Sequence, residues 1–380
     1  MSQTFNIGER LLFLQKTYKM HLTLVAGTRP NFVKIAPIIK AIKDYNSSHQ
    51  ASLNYTLVHT GQHYDDKMSG SFFKDLNIPE PDVNLNVGSY SHSEQTARIM
   101  MAFEAYLSQN ATDCVLVVGD VNSTMACAIV SKKLNLKLVH VEGGLRSGDR
   151  TMPEEINRLL TDSVSDFFFT TSEEADDNLK NEGIDEGRIF LVGNTMIDSL
   201  LNSLEKVRKP EFLKDQNPGK YFLLTLHRPS NVDDGIKLNK ILKIINDSVH
   251  GSKVVFPVHP RTESKITNQA AYSNIQFVPP MPYLEFLFMM KHAVGVITDS
   301  GGIQEETTFL NVPCVTLRSN TERPETIRLG TNILIGDNMD LLTESINEIL
   351  SGKWKKGEIP PLWDGQTSKR IIDKIVELLS

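Results

Sequence analysis

Short apolar runs alternate with amphipathic segments along most of the chain. The run Val115-Leu116-Val117-Val118 has no polar alternation, which is typical of a strand buried on both faces of a parallel sheet. Between such runs, apolar side chains recur at helical spacing, as in the segment 32–42. The predicted strands form two series: 22–26, 55–59, 114–118, 137–141, 166–170 and 189–192, then 221–226, 253–258, 275–278, 294–298 and 313–317.

Strands that alternate with helices predict an α/β fold with doubly wound sheets. The polar segment from Glu205 to Lys220 contains Pro210 and Pro218 and separates the two series. We therefore predict two Rossmann-like halves of similar size. A last helix is predicted at 368–379 and could pack on either half.

Composition narrows the function classes. The 380 residues include 40 Lys and Arg against 46 Asp and Glu, a net charge of −6 that argues against a general nucleic-acid binder. The chain is 40% hydrophobic and 23% charged, which is typical of a globular protein and not of a disordered one. No apolar run reaches the roughly 18 residues of a membrane span, so we expect a cytoplasmic protein without membrane association.

The cysteines and the N-terminus add two expectations. Cys114, Cys127 and Cys314 form no CxxC pair, which excludes a cysteine zinc site and indicates buried thiols in a reducing compartment. Residues 1–19 are interpreted as a peripheral extension, and Met20 is a candidate natural start.

Ligands of open α/β sheets bind beyond the carboxyl ends of the strands, so the residues there are candidates for chemistry. Arg29 and Lys34 flank the start of the first helix, an arrangement that favours a bound anion but also fits an ordinary turn. The segment 60–63, Thr-Gly-Gln-His, could contact a ligand or form a turn.

Three acids follow strands or open a helix in the first half. Asp120 could aim into the cleft or cap a helix, and Glu154 could complement a helix dipole. Glu142 ends a buried strand, where a charge needs a partner or a task. Together the three predict a carboxylate cluster able to move protons.

The second half offers candidate phosphate contacts. His227 and Arg228 end a strand, and a further strand end carries His259 and Arg261. Ser300, Gly301 and Gly302 turn a strand into a helix, which gives free N–H groups that could hold a diphosphate. Glu306 lies one turn in and could bind ribose hydroxyls, although a plain glycine turn with acids on the dipole is the alternative.

An ordered set of motifs resembles the non-hydrolysing UDP-N-acetylglucosamine 2-epimerases. The set runs from Gly27 to Gly336 and consists of GTRPxxxK at 27–34, TGQH at 60–63, GD at 119–120, HVEGGLRSG at 140–148, PEEINR at 153–158, VGNTMIDSL at 192–200, LHRPSN at 226–231, VHPRT at 258–262, TDSGGIQEE at 298–306 and TERPET at 321–326. Each motif is modest alone, but their order is specific.

The resemblance implies the GT-B fold, with Rossmann-like domains at 20–195 and 196–365 and a closing helix at 366–380 that returns to the first domain. It implies reversible conversion of UDP-N-acetylglucosamine to UDP-N-acetylmannosamine through 2-acetamidoglucal, without a metal or another cofactor. A homodimer with a UDP-N-acetylhexosamine substrate is also implied.

By matching motifs, the resemblance implies a catalytic set of Asp120, Glu142, Glu154 and His227. It implies substrate contacts from Arg29, Lys34, Phe286, Ser300, Gly301, Gly302, Glu306 and Arg323. Which carboxylate takes the proton stays open.

Three positions depart from common family patterns. Asn31 stands where many members carry Glu, and Pro229-Ser230 replaces an acid and Asn. Tyr64 stands where members with a second, allosteric UDP-N-acetylglucosamine site tend to have Arg, which argues against allosteric activation.

Other functions stay open at this stage. They are an epimerase of a modified UDP-N-acetyl sugar, a UDP-N-acetylglucosamine-dependent GT-B glycosyltransferase, a hydrolysing relative, and a silent nucleotide-sugar binder. The three carboxylates argue against the silent binder.

Overall fold

The computed structural model describes residues 19–49, 52–62, 73, 76–213 and 220–380. The extension before Lys19, His63 of the TGQH motif, Tyr64 and the end of the predicted connecting segment lie outside the described residues.

The first half contains a parallel sheet of seven strands in the order β3-β2-β1-β4-β5-β6-β7. Its central strand β4 is buried along its whole length, as its unbroken apolar run predicts. The strands are β1 (Lys19–Ala26), β2 (Ser52–His59), β3 (Val83–Asn84), β4 (Cys114–Val118), β5 (Lys137–Val141), β6 (Phe167–Thr170) and β7 (Ile189–Leu191).

The second half contains a parallel sheet of six strands in the order β10-β9-β8-β11-β12-β13. In each sheet the chain adds strands first on one side of the first strand and then on the other, so the order switches between β1 and β4 and between β8 and β11. Such a switch point is where open α/β sheets bind ligands. The strands are β8 (Tyr221–Thr225), β9 (Lys253–Pro257), β10 (Ile275–Val278), β11 (Gly295–Thr298), β12 (Cys314–Thr316) and β13 (Asn332–Leu334).

Helices connect the strands. In the first half they are α1 (Arg29–His49), α2 (His92–Leu107), α3 (Asn122–Lys133), α4 (Pro153–Val164), α5 (Glu173–Asn181) and α6 (Thr195–Leu204). After them come α7 (Pro229–Val232), α8 (Gly235–Ser248), α9 (Pro260–Glu263), α10 (Tyr283–His292), α11 (Gly301–Leu310), α12 (Glu325–Arg328), α13 (Met339–Leu350) and α14 (Thr367–Leu379). In the described part of the chain, no helix is both long and apolar enough to cross a membrane.

All eleven predicted strands are present, with ends that differ by up to three residues. The prediction missed β3 and β13, because strands of two and three residues are too short for a periodic signal. It also shortened α1, which begins at Arg29 and continues to His49 through polar residues. Cys114, Cys127 and Cys314 are free and buried, as predicted.

The closing helix α14 packs against α1 and α6 of the first half. The carboxylate of Asp198, on α6, accepts hydrogen bonds from the N–H groups of Thr367 and Ser368 and so caps α14. These contacts agree with the expected return of this helix, while the exact division into domains stays a prediction.

Candidate active site

The turn between β1 and α1 is fixed by Asn31. Its side-chain oxygen accepts hydrogen bonds from the N–H groups of Gly27 and Thr28 at 3.1 and 3.0 Å. Its amide nitrogen donates to the carbonyl of Val118 at the end of β4, at 3.0 Å. Asn31 therefore ties two neighbouring strand ends together, whereas Arg29 is exposed at the first position of α1.

Lys34 and Glu142 form a buried ion pair, with 2.5 Å between Nζ and Oε2. Glu142 follows β5 with a φ of +69°, a left-handed conformation that is uncommon for a residue with a side chain. Its other oxygen, Oε1, is buried and has no hydrogen-bond partner among the described residues. A strained backbone and an unsatisfied carboxylate oxygen are typical of a functional site.

Asp120 lies beside this pair and bonds to Arg158, with 2.6 Å between Oδ2 and Nη2. Burial opposes ionisation of the carboxyl, but Arg158 and Lys34 outweigh it and lower the pKa of Asp120. The helix-cap interpretation of Asp120 is wrong, because Val121 occupies the N-cap of α3. Asp120 and Glu142 are thus brought together around Lys34.

The two acids that open α4 differ in environment. Glu154 is partly exposed and lies near the Arg228 guanidinium. Burial and the charge of Arg318 lower the pKa of Arg228, and the negative charge of Glu154 acts against this lowering. Glu155 is buried, bonds to Arg158 at 2.5 Å, and accepts from the N–H groups of Ser147 and Gly148. Glu155 therefore holds the loop after β5, a role that the sequence did not distinguish from that of Glu154.

In the second half, His227 pairs with the buried Asp299. The His227 Nδ1 atom lies 2.9 Å from Oδ1 of Asp299, while 63% of the imidazole side chain is exposed. The carboxylate also accepts from the N–H groups of His227 and Arg228 and from the Asn231 amide. Burial opposes ionisation of Asp299, but these contacts prevail and lower its pKa. The ring is therefore held in one orientation at the cleft surface.

Ser300 caps α11 without a side-chain hydrogen bond, and Gly301 and Gly302 form the first turn. A Cβ atom on Gly301 would lie 2.8 Å from both Nη1 of Arg323 and Oε1 of Glu322, so glycine allows these charged groups to approach the turn. The N–H groups of a first helical turn have no intrahelical acceptor. The turn combines these N–H groups with a buried guanidinium.

Arg323 is buried between two acids. Its Nε atom lies 2.6 Å from Oε1 of Glu305, and its Nη1 atom contacts Glu322. Glu322 also binds Arg318 at 2.7 Å, and Arg158 of the first half approaches it to 3.9 Å. A chain of alternating charges therefore runs from Asp120, through Arg158 and Glu322, to Arg323.

Glu306 accepts a hydrogen bond from the Tyr283 hydroxyl at 2.7 Å. Burial raises the pKa of Glu306 to about 7, against the effect of the tyrosine hydrogen bond. Phe286 follows Tyr283 by three residues on α10 and is partly buried, so both rings lie on one side of the helix.

The structure thus brings Asp120, Glu142 and Lys34 together, and it places Arg323 against the Ser300–Gly302 turn. Sequence reasoning assigned no role to several partners in these contacts, which are the buried residues Asn31, Arg158, Asn194, Asp299, Glu305 and Glu322 and the partly buried Tyr283. Most of them belong to the quoted motifs, but only their buried contacts distinguish them. In the described part of the chain, no group of three or more His, Cys, Asp or Glu side chains is arranged to hold a metal ion.

The sequence is similar over nearly its whole length to known nucleotide-sugar 2-epimerases. A sequence profile of the family described as UDP-N-acetylglucosamine 2-epimerase matches residues 46–376. The UDP-N-acetylglucosamine 2-epimerase of Methanocaldococcus jannaschii is 42% identical over 368 residues, covering 93% of this chain and 98% of that protein. The UDP-2,3-diacetamido-2,3-dideoxy-D-glucuronate 2-epimerase of Pseudomonas aeruginosa is 39% identical, covering 94% of this chain and all of the other.

The fold is also that of a solved relative. The crystal structure of the Methanocaldococcus jannaschii UDP-GlcNAc 2-epimerase in complex with UDP-GlcNAc and UDP superimposes with a TM-score of 0.83 at 41% identity. The match covers 94% of this chain and 100% of the other. The predicted GT-B architecture is therefore confirmed.

Proposed function

The chain belongs to the UDP-N-acetylglucosamine 2-epimerase family, and from this premise we propose that it interconverts UDP-N-acetylglucosamine and UDP-N-acetylmannosamine. The observation that carries the proposal is that the partly exposed Asp120 lies near the buried pair of Lys34 and Glu142. Arg158 and Glu322 connect Asp120 to the turn at Gly301. Proton-transfer groups and an anion site thus meet in one cleft.

In the first half-reaction, a carboxylate takes the proton from C2 of the sugar while the bond between C1 and the UDP oxygen breaks. The electrons of the C–H bond form the C1–C2 double bond of 2-acetamidoglucal, and UDP leaves as an anion. The C2 proton is only weakly acidic, so its removal depends on the departure of UDP. Cations and helix N–H groups at the diphosphate would stabilise the developing charge.

In the second half-reaction, a UDP oxygen adds to C1 and C2 receives a proton on the opposite face. Two groups on opposite faces of the sugar suit this reversal. The unpartnered Oε1 of Glu142 supports a proton-transfer role for that residue, and the Arg158 contact supports an ionised Asp120. Glu154 would complete the set from the first turn of α4.

We assign the nucleotide to the second half. The Ser300–Gly302 turn, Arg323 and His227 would hold the diphosphate, while Arg29 and Lys34 contribute positive charge from the first half. Glu306 would accept hydrogen bonds from the ribose hydroxyls, and Phe286 would stack near the uracil.

A second substrate is favoured by one observation. The Pseudomonas aeruginosa relative is named for a UDP-2,3-diacetamido uronate and is almost as similar as the archaeal enzyme. The same C2 chemistry would serve a sugar modified at C3 and C6. A comparison of turnover with the two substrates decides between them.

The remaining expectations complete the proposal. We expect a cytoplasmic homodimer in which each chain divides at residues 195 and 365 and ends in a helix that returns to the first domain. Analytical ultracentrifugation tests the dimer, and a single monomeric species would contradict it.

Proton NMR in D₂O tests the reaction. We expect deuterium at C2 of both epimers when UDP-N-acetylglucosamine is incubated with the protein and no added cofactor. Inversion with full retention of the C2 proton would exclude the elimination mechanism. If no UDP-sugar is inverted, the assignment is wrong, and transfer of the sugar to an acceptor with the C2 proton retained would indicate a glycosyltransferase.

A further inference from the structure

The side chain of Asn194 lies between the two halves and makes two hydrogen bonds to other described residues. It is fully buried, three residues after the last strand of the first sheet. Its side-chain oxygen accepts from the Met196 N–H at 2.8 Å and so caps α6, and its amide nitrogen donates to Oε1 of Glu305 at 2.8 Å. The motif around Asn194 received no role from the sequence.

The helix that Asn194 caps contacts both halves: it packs on α1 and α14, and also on α10 and α11. The Ser199 hydroxyl donates to the carbonyl of Val33 in α1, at 2.5 Å, and Asp198 caps α14. Asn194 therefore offers a fixed reference point to any group of the second half that binds it. That group is Glu305, one helical turn after the Ser300–Gly302 turn.

Glu305 has the charged neighbours of a site residue. The oxygen that accepts from Asn194 also lies 2.6 Å from Nε of Arg323. Glu142, Lys34, Glu306 and Glu325 also interact electrostatically with its carboxyl, and its Oε2 atom has no hydrogen-bond partner among the described residues. The orientation of Arg323 at the Gly301 turn thus depends on where Glu305 is held.

We propose that Asn194 is a positioning residue that holds Glu305, and through it Arg323, against the Ser300–Gly302 turn. The inference rests on the proposed function only in so far as this turn binds the diphosphate. The hydrogen bond from Asn194 to Glu305 then couples the end of the first sheet to the anion site of the second half.

The substitution Asn194→Asp separates positioning from capping. Aspartate is as good an N-cap as asparagine, so α6 keeps its cap. However, it turns the donor that faces Glu305 into a second carboxylate, and two carboxylates at hydrogen-bond distance repel each other unless they share a proton. We expect UDP affinity to fall about tenfold at pH 8, in line with the loss of a hydrogen bond to a charged group.

The pH dependence and a rescue make the test specific. At pH 6 a shared proton should bring the UDP affinity of Asn194→Asp back towards that of the parent at the same pH. Adding Glu305→Gln exchanges donor and acceptor, because the glutamine amide can donate to the new aspartate, and should recover at least part of the lost affinity. Asn338→Asp is the matched control, since Asn338 caps α13 in the same way at an exposed position.

Calorimetry with UDP, thermal unfolding and the epimerase rate are measured on the four proteins. Parent-like UDP affinity for Asn194→Asp at pH 8 would overturn the inference. So would a loss that is equal at both pH values and is not rescued by Glu305→Gln. A parent that binds UDP but inverts no sugar would contradict the proposed function and leave the calorimetric test of Asn194 in force.

Discussion

At the scale of the residue, Glu306 combines two opposing properties. Its carboxyl is buried, which disfavours the charged form, and it accepts a hydrogen bond from the Tyr283 hydroxyl. The ribose contact that we assign to it requires acceptor oxygens, which the charged form supplies best. Sites often contain residues that serve function at the expense of stability.

The substitution Glu306→Gln should therefore stabilise the fold and weaken UDP binding. With the folded pKa raised from 4.5 to about 7, the carboxyl costs no folding free energy well below pH 4.5. The cost grows as the pH rises from 4.5 to 7 and is constant well above 7. Glutamine should raise the free energy of unfolding by up to about 3 kcal/mol at pH 8. UDP binding should weaken by about 1.5–3 kcal/mol because charge-assisted hydrogen bonds are lost. Urea unfolding across pH and calorimetry measure the two effects.

Glu325→Gln is the control for burial alone. Burial also raises the pKa of Glu325, to about 8, so its amide should stabilise the fold at high pH and leave UDP affinity unchanged. Unchanged UDP affinity in Glu306→Gln would instead contradict the ribose assignment.

Glu142→Gln should lower turnover strongly and change UDP affinity little, whereas Glu306→Gln should weaken UDP binding. The amide keeps the shape but cannot titrate, and losing a general acid or base typically costs about 10² to 10⁴ in rate. We expect UDP to bind within a few-fold of the parent, because Glu142 acts on the sugar. Intact turnover, or loss of UDP binding in a folded protein, would contradict this division of labour.

The sequence could identify Glu142 and Glu306, because an acid after a buried strand or inside a glycine-turn helix is unusual in itself. It could not identify Arg158 or Glu305. Both lie on helices whose sequences are compatible with a solvated charge, and only the packing of distant segments buries them.

At the scale of the element, the loop after β5 shows why its glycines are needed. In the structure, a Cβ atom on Gly144 would lie 2.3 Å from the carbonyl oxygen of Ala175 in α5. The first glycines therefore pack the loop against protein, which fixes the backbone just after Glu142.

Gly144 and Gly148 provide a matched pair for this interpretation. Both have positive φ, at +81° and +73°, but a Cβ on Gly148 would meet no atom within 4 Å. Gly148→Ala should cost about 1–2 kcal/mol of unfolding free energy from the backbone conformation alone. Gly144→Ala should cost about 1–3 kcal/mol more because backbone atoms must move. Urea denaturation measures the difference, and equal costs would show that the contact with Ala175 does not constrain the loop.

At the scale of the molecule, the candidate site exists only where the two halves meet. Arg158 approaches Glu322, Asn194 bonds to Glu305, and the Arg328 guanidinium pairs with Glu174. Each contact joins a residue of the first half to one of the second. The sequence predicted two sheets and the residues at their ends, because periodicity and strand-end chemistry are local. It could not predict these contacts, because they depend on how the halves are oriented.

Such a site should respond to the nucleotide by closing. The diphosphate would bind the Ser300–Gly302 turn of the second half, and the sugar would meet Asp120 and Glu142 of the first, so UDP favours the arrangement that brings the halves together. Small-angle scattering should give a smaller radius of gyration at saturating UDP than without it. Inorganic pyrophosphate at equal concentration is the control for the effect of added anion on the scattering. It lacks the ribose and uracil that Glu306 and Phe286 would hold. An unchanged profile at saturating UDP would rule out a large closure but leave the site assignment intact, since UDP would then bind halves that are already closed.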